Sequence, residues 1–288
     1  MLRPVLILAA SLCLLGAPES KAAPALAGRV GFSAPLPLIP VVVFGERGRL
    51  TEAEFARQTG ADPSDIARRH AASGIIHCGN ARGAGQLTLA NNIVTTAAHV
   101  LFDESGAMRG DAAHCSFAVT VAGTISVTAI DVDSIVAGAA DPYRAPPARD
   151  WAVARLRRPV EGARAYAVGA APRAGSPIEF AARGHADWGA SSALSLQDCA
   201  LREMLAQGSE GTREFSFDCD AGIGASGAAL LDPDGQRLDA IFVGYRSAKP
   251  DLAAPFSPQH YNFAVTVEGA FRRAVETMAG TRATASAR

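Results

Sequence analysis

Apolar residues in this chain come in short alternating bursts separated by Gly, Asn and Asp. They seldom recur at helical spacing. The bursts run through Ile75-Ile76, Leu87-Thr88-Leu89, Ile93-Val94-Thr95, Phe117 to Val121 and Ile125 to Ile130. They continue through Trp151 to Leu156, Ile178-Glu179-Phe180, Glu214 to Phe217, Ala228 to Leu231 and Ile241 to Gly244. Period-two alternation puts apolar side chains on one face of a strand, so these segments predict short, half-buried β-strands. Asp232-Pro233-Asp234-Gly235 is a turn between two of them, and the proline-rich stretch Asp141 to Arg149 is a loop. Many short strands with turns between them predict an all-β architecture of barrels or a sandwich.

Helical patterning is confined to the ends. Thr51-Glu52-Ala53-Glu54 has the form of a capping box, and Asp62-Pro63 opens a second helix that reaches about Ala71. Val267, Ala270, Phe271, Ala274, Val275 and Met278 share one helical face that stops at Gly280, which predicts a C-terminal amphipathic helix. Residues 28–50 are rich in Pro and Gly, with Val41-Val42-Val43-Phe44 as one short strand, and residues 281–288 read as a frayed tail.

Composition adds a compartment. Arg3, the apolar run from Val5 to Leu15 and the small residues that follow form a secretory signal, with cleavage after Ala22 or Ala27. The run is too short to span a bilayer, so a secreted or periplasmic soluble protein is expected. A formal net charge of −1 gives no electrostatic reason for a nucleic-acid or anionic-membrane partner. Beyond the signal stand Cys78, Cys115, Cys199 and Cys219, an even number in an oxidising compartment. Three pairings are open. The sequential one, Cys78–Cys115 with Cys199–Cys219, is the simplest. His77-Cys78 and His114-Cys115 also suggest a zinc site, but neighbouring strand residues point to opposite faces and rarely share one metal.

Three motifs carry the chemistry. Thr95-Thr96-Ala97-Ala98-His99-Val100 puts a histidine just past a β-branched strand, where small residues let the backbone turn sharply. Asp150-Trp151-Ala152-Val153 puts a carboxylate at the mouth of an apolar strand, whereas Asp131 and Asp133 sit in a polar alternation and Asp141 in the loop. Gly224-Ala225-Ser226-Gly227 flanks a serine with glycines that permit unusual backbone angles. Together they make a Ser-His-Asp system. His99 is the base toward Ser226 and then the acid, Asp150 fixes its tautomer, and the N–H groups of Gly224 and Ser226 form an oxyanion hole. Such chemistry needs no metal or cofactor. The order His-Asp-Ser excludes the subtilisin and α/β-hydrolase arrangements, and Ala228 breaks the nucleophile-elbow pattern of the latter.

With these motifs the chain resembles trypsin-like serine peptidases, in particular the bacterial branch related to glutamyl endopeptidases. Cys219 to Gly227 looks like that branch's nucleophile loop, and Tyr261 to Val267 like its closing strand. The resemblance implies two antiparallel β-barrels, over 72–160 and 161–280, with a cleft between them and 28–71 as an N-terminal segment or pro-segment. It implies a secreted, monomeric endopeptidase acting on protein or peptide substrates. It also places Asp220 and Ala221 at the base of the primary specificity pocket, with Gly244, Tyr245 and Arg246 along its wall. An exposed Asp220 would select Arg or Lys; an inward Arg246 would select Glu or Asp. Ala225 stands where trypsin carries the acid that receives a freed N-terminus, so that activation switch is expected to be absent. The other readings are a catalytically silent binding module of the same fold and a serine esterase.

Overall fold

The computed structural model describes residues 41–46, 48–188, 193–250 and 252–280. The expected signal and the tail 281–288 lie outside them. The chain folds as two closed, six-stranded antiparallel barrels with few helices. The first contains β2 (Ser73–Cys78), β3 (Ala81–Leu87), β4 (Ile93–Thr96), β5 (Cys115–Val121), β6 (Thr124–Ala137) and β7 (Ala152–Leu156), closed in the order β2-β3-β4-β7-β6-β5. A short strand β1 (Val41–Val42) precedes it, with helices α1 (Glu52–Thr59) and α2 (Pro63–Arg69).

After β8 (Ala167–Val168) come β9 (Pro177–Arg183), β10 (Leu194–Gln207), β11 (Arg213–Phe217), β12 (Ala221–Gly222), β13 (Ala229–Leu231), β14 (Arg237–Ser247) and β15 (His260–Thr266). The second barrel closes as β13-β9-β10-β11-β15-β14, with β13 returning to β14. Its centre holds Phe180, Phe217 and Phe242, whose rings meet at 5.5–6.0 Å in tilted and edge-on arrangements. The expected C-terminal helix runs over Gly269–Ala279, here α4, and Phe271 stacks on Trp151 of the first barrel at 4.9 Å. Helix α3 (Ala98–Leu101) is a single turn beyond β4.

Two strands escape the hydrophobic pattern. β3 carries Gly83 and Gly85 in place of an apolar stripe, and it is a strand because β2 and β4 bond it on both edges. β10 is rich in Leu, Glu, Met, Ala and Gln, which favour helix locally, but it is held by β9 along one half and β11 along the other. Tertiary pairing wins over local preference in both.

The capping box forms as the sequence requires: Glu54 N–H donates to Thr51 Oγ1 at 3.3 Å and Thr51 N–H to Glu54 Oε2 at 2.8 Å. Phe55, Ala56 and Ile66, the buried residues of the two helices, enter the main core, and Leu50 bridges to Leu196 of β10. Below α2, His70 Nε2 lies 3.1 Å from Glu179 Oε1, and Tyr166 OH contacts Ser73 Oγ at 2.9 Å. The disulfides pair sequentially: Cys78 with Cys115 across β2 and β5, and Cys199 with Cys219. Truncating Phe55 to Ala removes a ring that is 1% exposed and is expected to cost about 3–5 kcal/mol in equilibrium unfolding. A loss below about 1 kcal/mol would show that residues 51–71 are only loosely attached to the core.

Candidate active site

His99 lies in α3, one turn past β4, with Ala97 and Ala98 fully buried beneath it. Larger side chains there would lift the turn off the barrel. Asp150 ends a 3-10 turn at Pro147–Arg149 just before β7, and the pairing of Thr96 with Ala152 brings it beside α3. Its Oδ2 is 2.7 Å from His99 Nδ1, and its Oδ1 accepts the backbone N–H of His99 at 2.9 Å. One carboxylate therefore holds both the ring and the backbone of the same residue. Its side chain is 9% exposed and that of His99 22%. A proton on Nδ1 facing the carboxylate leaves Nε2 as the basic nitrogen. Arg109 fixes α3 from outside, donating from Nε to the carbonyls of His99 (3.1 Å) and Phe102 (3.0 Å) and from Nη2 to Tyr143 OH (2.8 Å).

Ser226 sits in a tight turn between the barrels. Its carbonyl accepts the N–H of Ala84 on β3 at 2.7 Å, and Gly227 N–H donates to Phe242 on β14 at 2.7 Å. Ala225 N–H donates to Gly222 at 3.1 Å and Ala228 N–H to Ala225 at 2.8 Å. Among the described residues, the amides of Gly224 and Ser226 have no acceptor. Gly224 has φ +91° and Gly227 φ +88°, a region L side chains rarely adopt. A Cβ on Gly227 would also run into the Ala84 carbonyl and Thr96 Oγ1, and one on Gly224 into the Gly184 carbonyl.

His99 and Ser226 line one cleft of about 520 Å³, with Arg82, Val100, Arg109 and Tyr143 on the first-barrel side. Across from them stand Gly222 to Gly224, Phe242 to Tyr245, and Phe263. Of the five expected specificity residues, Gly244 and Tyr245 line this cleft. The other three lie outside its lining. Asp220 is fully buried; its Oδ1 accepts the N–H of Phe44 (2.9 Å) and its Oδ2 that of Gly48 (2.8 Å). Ala221 is used in pairing β12 with β1. Arg246 donates from Nη1 to Glu214 Oε1 (2.8 Å) and Tyr261 OH (3.0 Å) and lies over the Phe263 ring.

The segment before α1 thus runs directly behind the serine loop. Arg49 grips Asp187 through two hydrogen bonds of 3.0 and 2.6 Å and lies over Trp188, and Ala186 N–H donates to Ile223 at 3.0 Å. His185 between them is 2% exposed, and burial first, then the Arg49 charge, pushes its pKa down to about 3, so it is neutral. Arg82 and Arg109 carry no sequence signal, being two arginines among many. Replacing Asp220 by Ala strips the acceptors from two part-buried amides, at up to about 1–3 kcal/mol each. Hydrogen exchange at Phe44 and Gly48 is expected to accelerate at least tenfold; unchanged protection would mean that β1 alone holds the segment.

No protein-family model matches the sequence, and no curated protein sequence matches it. Solved structures do match in fold. A Glu endopeptidase in complex with MPD aligns with a TM-score of 0.62 at 14% identity, covering 83% of this chain and 100% of its own. An inactivated scabies mite protease paralogue, S-I1, aligns at 0.55 and 12% identity over 75% of this chain and 97% of its own. A thermostable serine protease from an extremophilic microorganism, AL20, gives 0.50 at 16% over 74% and 98%. The two barrels share the fold of these solved proteases.

Proposed function

We propose that this chain is a secreted serine endopeptidase that cleaves peptide bonds through Ser226, His99 and Asp150. The observation that supports it most is the doubly bonded Asp150–His99 pair, with His99 and Ser226 lining one cleft. Fold similarity cannot carry the reading, because the inactivated paralogue shares the fold. The side chains carry it.

In this reading His99 Nε2 takes the Ser226 hydroxyl proton as Oγ attacks the scissile carbonyl, and the imidazolium is stabilised by the Asp150 carboxylate 2.7 Å away. The oxyanion develops toward the amides of Gly224 and Ser226, each worth about 10²–10³ in rate. His99 then protonates the leaving amine, and water, deprotonated by the same imidazole, hydrolyses the acyl-enzyme. Residues 41–71 stay in the mature enzyme, since removing them would strip β1 from β12, take Phe55 and Ile66 out of the main core and leave Asp220 without its two amide donors. Processing falls upstream of them.

A fluorophosphonate is expected to label Ser226 alone, and Ser226→Ala to leave only about 10³–10⁴ over the uncatalysed rate while keeping the unfolding midpoint. Near-normal turnover by that variant would reject Ser226. Asp150→Asn favours the wrong imidazole tautomer and is expected to lower kcat about 10⁴-fold on a peptide substrate. A mild effect there, with Asp141→Asn crippling instead, would move the acid to Asp141. A wild type that resists the phosphonate would favour the silent binding module, and one that turns over esters but no peptide would favour the esterase.

A further inference from the structure

The cleft contains a cation with nothing to hold. Arg82 lies on β3, two residues before Ala84, whose N–H grips the Ser226 carbonyl. Its Nε and Nη2 are out of contact with water and have no hydrogen-bond partner among the described residues. The other arginine of the cleft, Arg109, spends its guanidinium on two carbonyls and a tyrosine hydroxyl. Aspartate and glutamate are absent from the described lining of the cleft. Desolvation pulls the Arg82 pKa below the usual arginine value, and its charge adds to the burial that lowers the pKa of His77, its cross-strand neighbour. Arg82 is half-buried, and for a guanidinium that keeps donors unspent the best-matched partner is a carboxylate bonded to its planar fork.

The half of a substrate that Arg82 meets follows from the chemistry of His99. The leaving amine takes its proton from His99, so the chain beyond the scissile bond lies on the first-barrel side of Ser226. Val100, next to His99, packs against Gly83, next to Arg82, so histidine and arginine flank the same stretch of cleft. We propose that Arg82 selects peptides with Asp or Glu on the leaving-group side of the cleaved bond. The assignment rests on the peptidase reading for its direction. Neither Asp220 nor Arg246 competes for the role, since both are bonded outside the cleft lining.

The test uses short fluorescein-labelled peptides of one sequence with Glu, Gln or Lys placed in turn at each position. Binding to the Ser226→Ala protein is read by anisotropy, and cleavage by the wild type is mapped by mass spectrometry. Glu is expected to bind about tenfold to hundredfold tighter than Gln at one position, the range a charge-assisted hydrogen bond supplies. In wild-type cleavage that position falls after the scissile bond. Adding Arg82→Gln to the Ser226→Ala protein should abolish the preference, and Arg82→Glu should turn it toward Lys. Equal binding of the Glu and Gln peptides at every position overturns the proposal without needing any Arg82 variant to fold. So does a preference that survives Arg82→Gln, or one that maps before the cleaved bond. Fluorophosphonate labelling of wild-type Ser226 judges the peptidase reading separately.

Discussion

The arrangement depends on how the serine turn is suspended. Ser226 hands its carbonyl to β3 of the first barrel, and Gly227 hands its N–H to β14 of the second, both at 2.7 Å. The turn belongs to neither barrel alone. Because Gly227 is wedged between the Ala84 carbonyl and Thr96 Oγ1, the barrels approach as closely as a backbone without Cβ allows. Thr96 in turn donates to the Ala84 carbonyl at 2.7 Å and ends the strand that leads to His99. Histidine and serine, on different barrels, thus share a few backbone atoms as a common mount.

Asp220 extends the same logic to the back of the turn. A fully buried carboxylate is tolerable only when its lone pairs are bonded, and here two backbone amides of the N-terminal segment do this. An ammonium is one way to satisfy such an acid, and peptide N–H groups are another that needs no newly made chain end. Ala225 leaves no carboxylate beside the serine for a terminus to find. Val41 and Val42 by pairing, and Phe44 and Gly48 by amide donation, therefore support the loop in concert with the Cys199–Cys219 bridge.

What was legible in the sequence is what the local backbone demands. Small residues before His99, an acid at a strand mouth and glycines around Ser226 are short-range requirements, so one sequence displays them. The barrels were legible through alternation wherever a strand has one wet face. β3 and β10 were not, because the bonds that make them strands come from distant neighbours. The residence of Asp220 was hidden for the same reason: its partners, Phe44 and Gly48, lie more than 170 positions away. A carboxylate near a serine loop reads as a specificity charge until its donors are known.

That relocation changes how the cleft's electrostatics are built. Had Asp220 faced the cleft, its negative charge would have opposed Arg82. With Asp220 consumed by amides and Arg246 by Glu214 and Tyr261, the unspent cationic capacity sits on β3. The Phe263 ring adds to this separation, since Arg246 lies 4.6 Å from its centroid. Of the residues a sequence reader would nominate to discriminate substrates, Gly244 and Tyr245 line the cleft, whereas Asp220 and Arg246 spend their charges on neighbours outside its lining. The charge proposed to discriminate belongs to the first barrel, one residue from Gly83, against which the Ser226 carbonyl lies. In the proposed reading, selectivity and nucleophile placement then rest on one strand, so a change at β3 that shifts Arg82 also shifts the mount of Ser226.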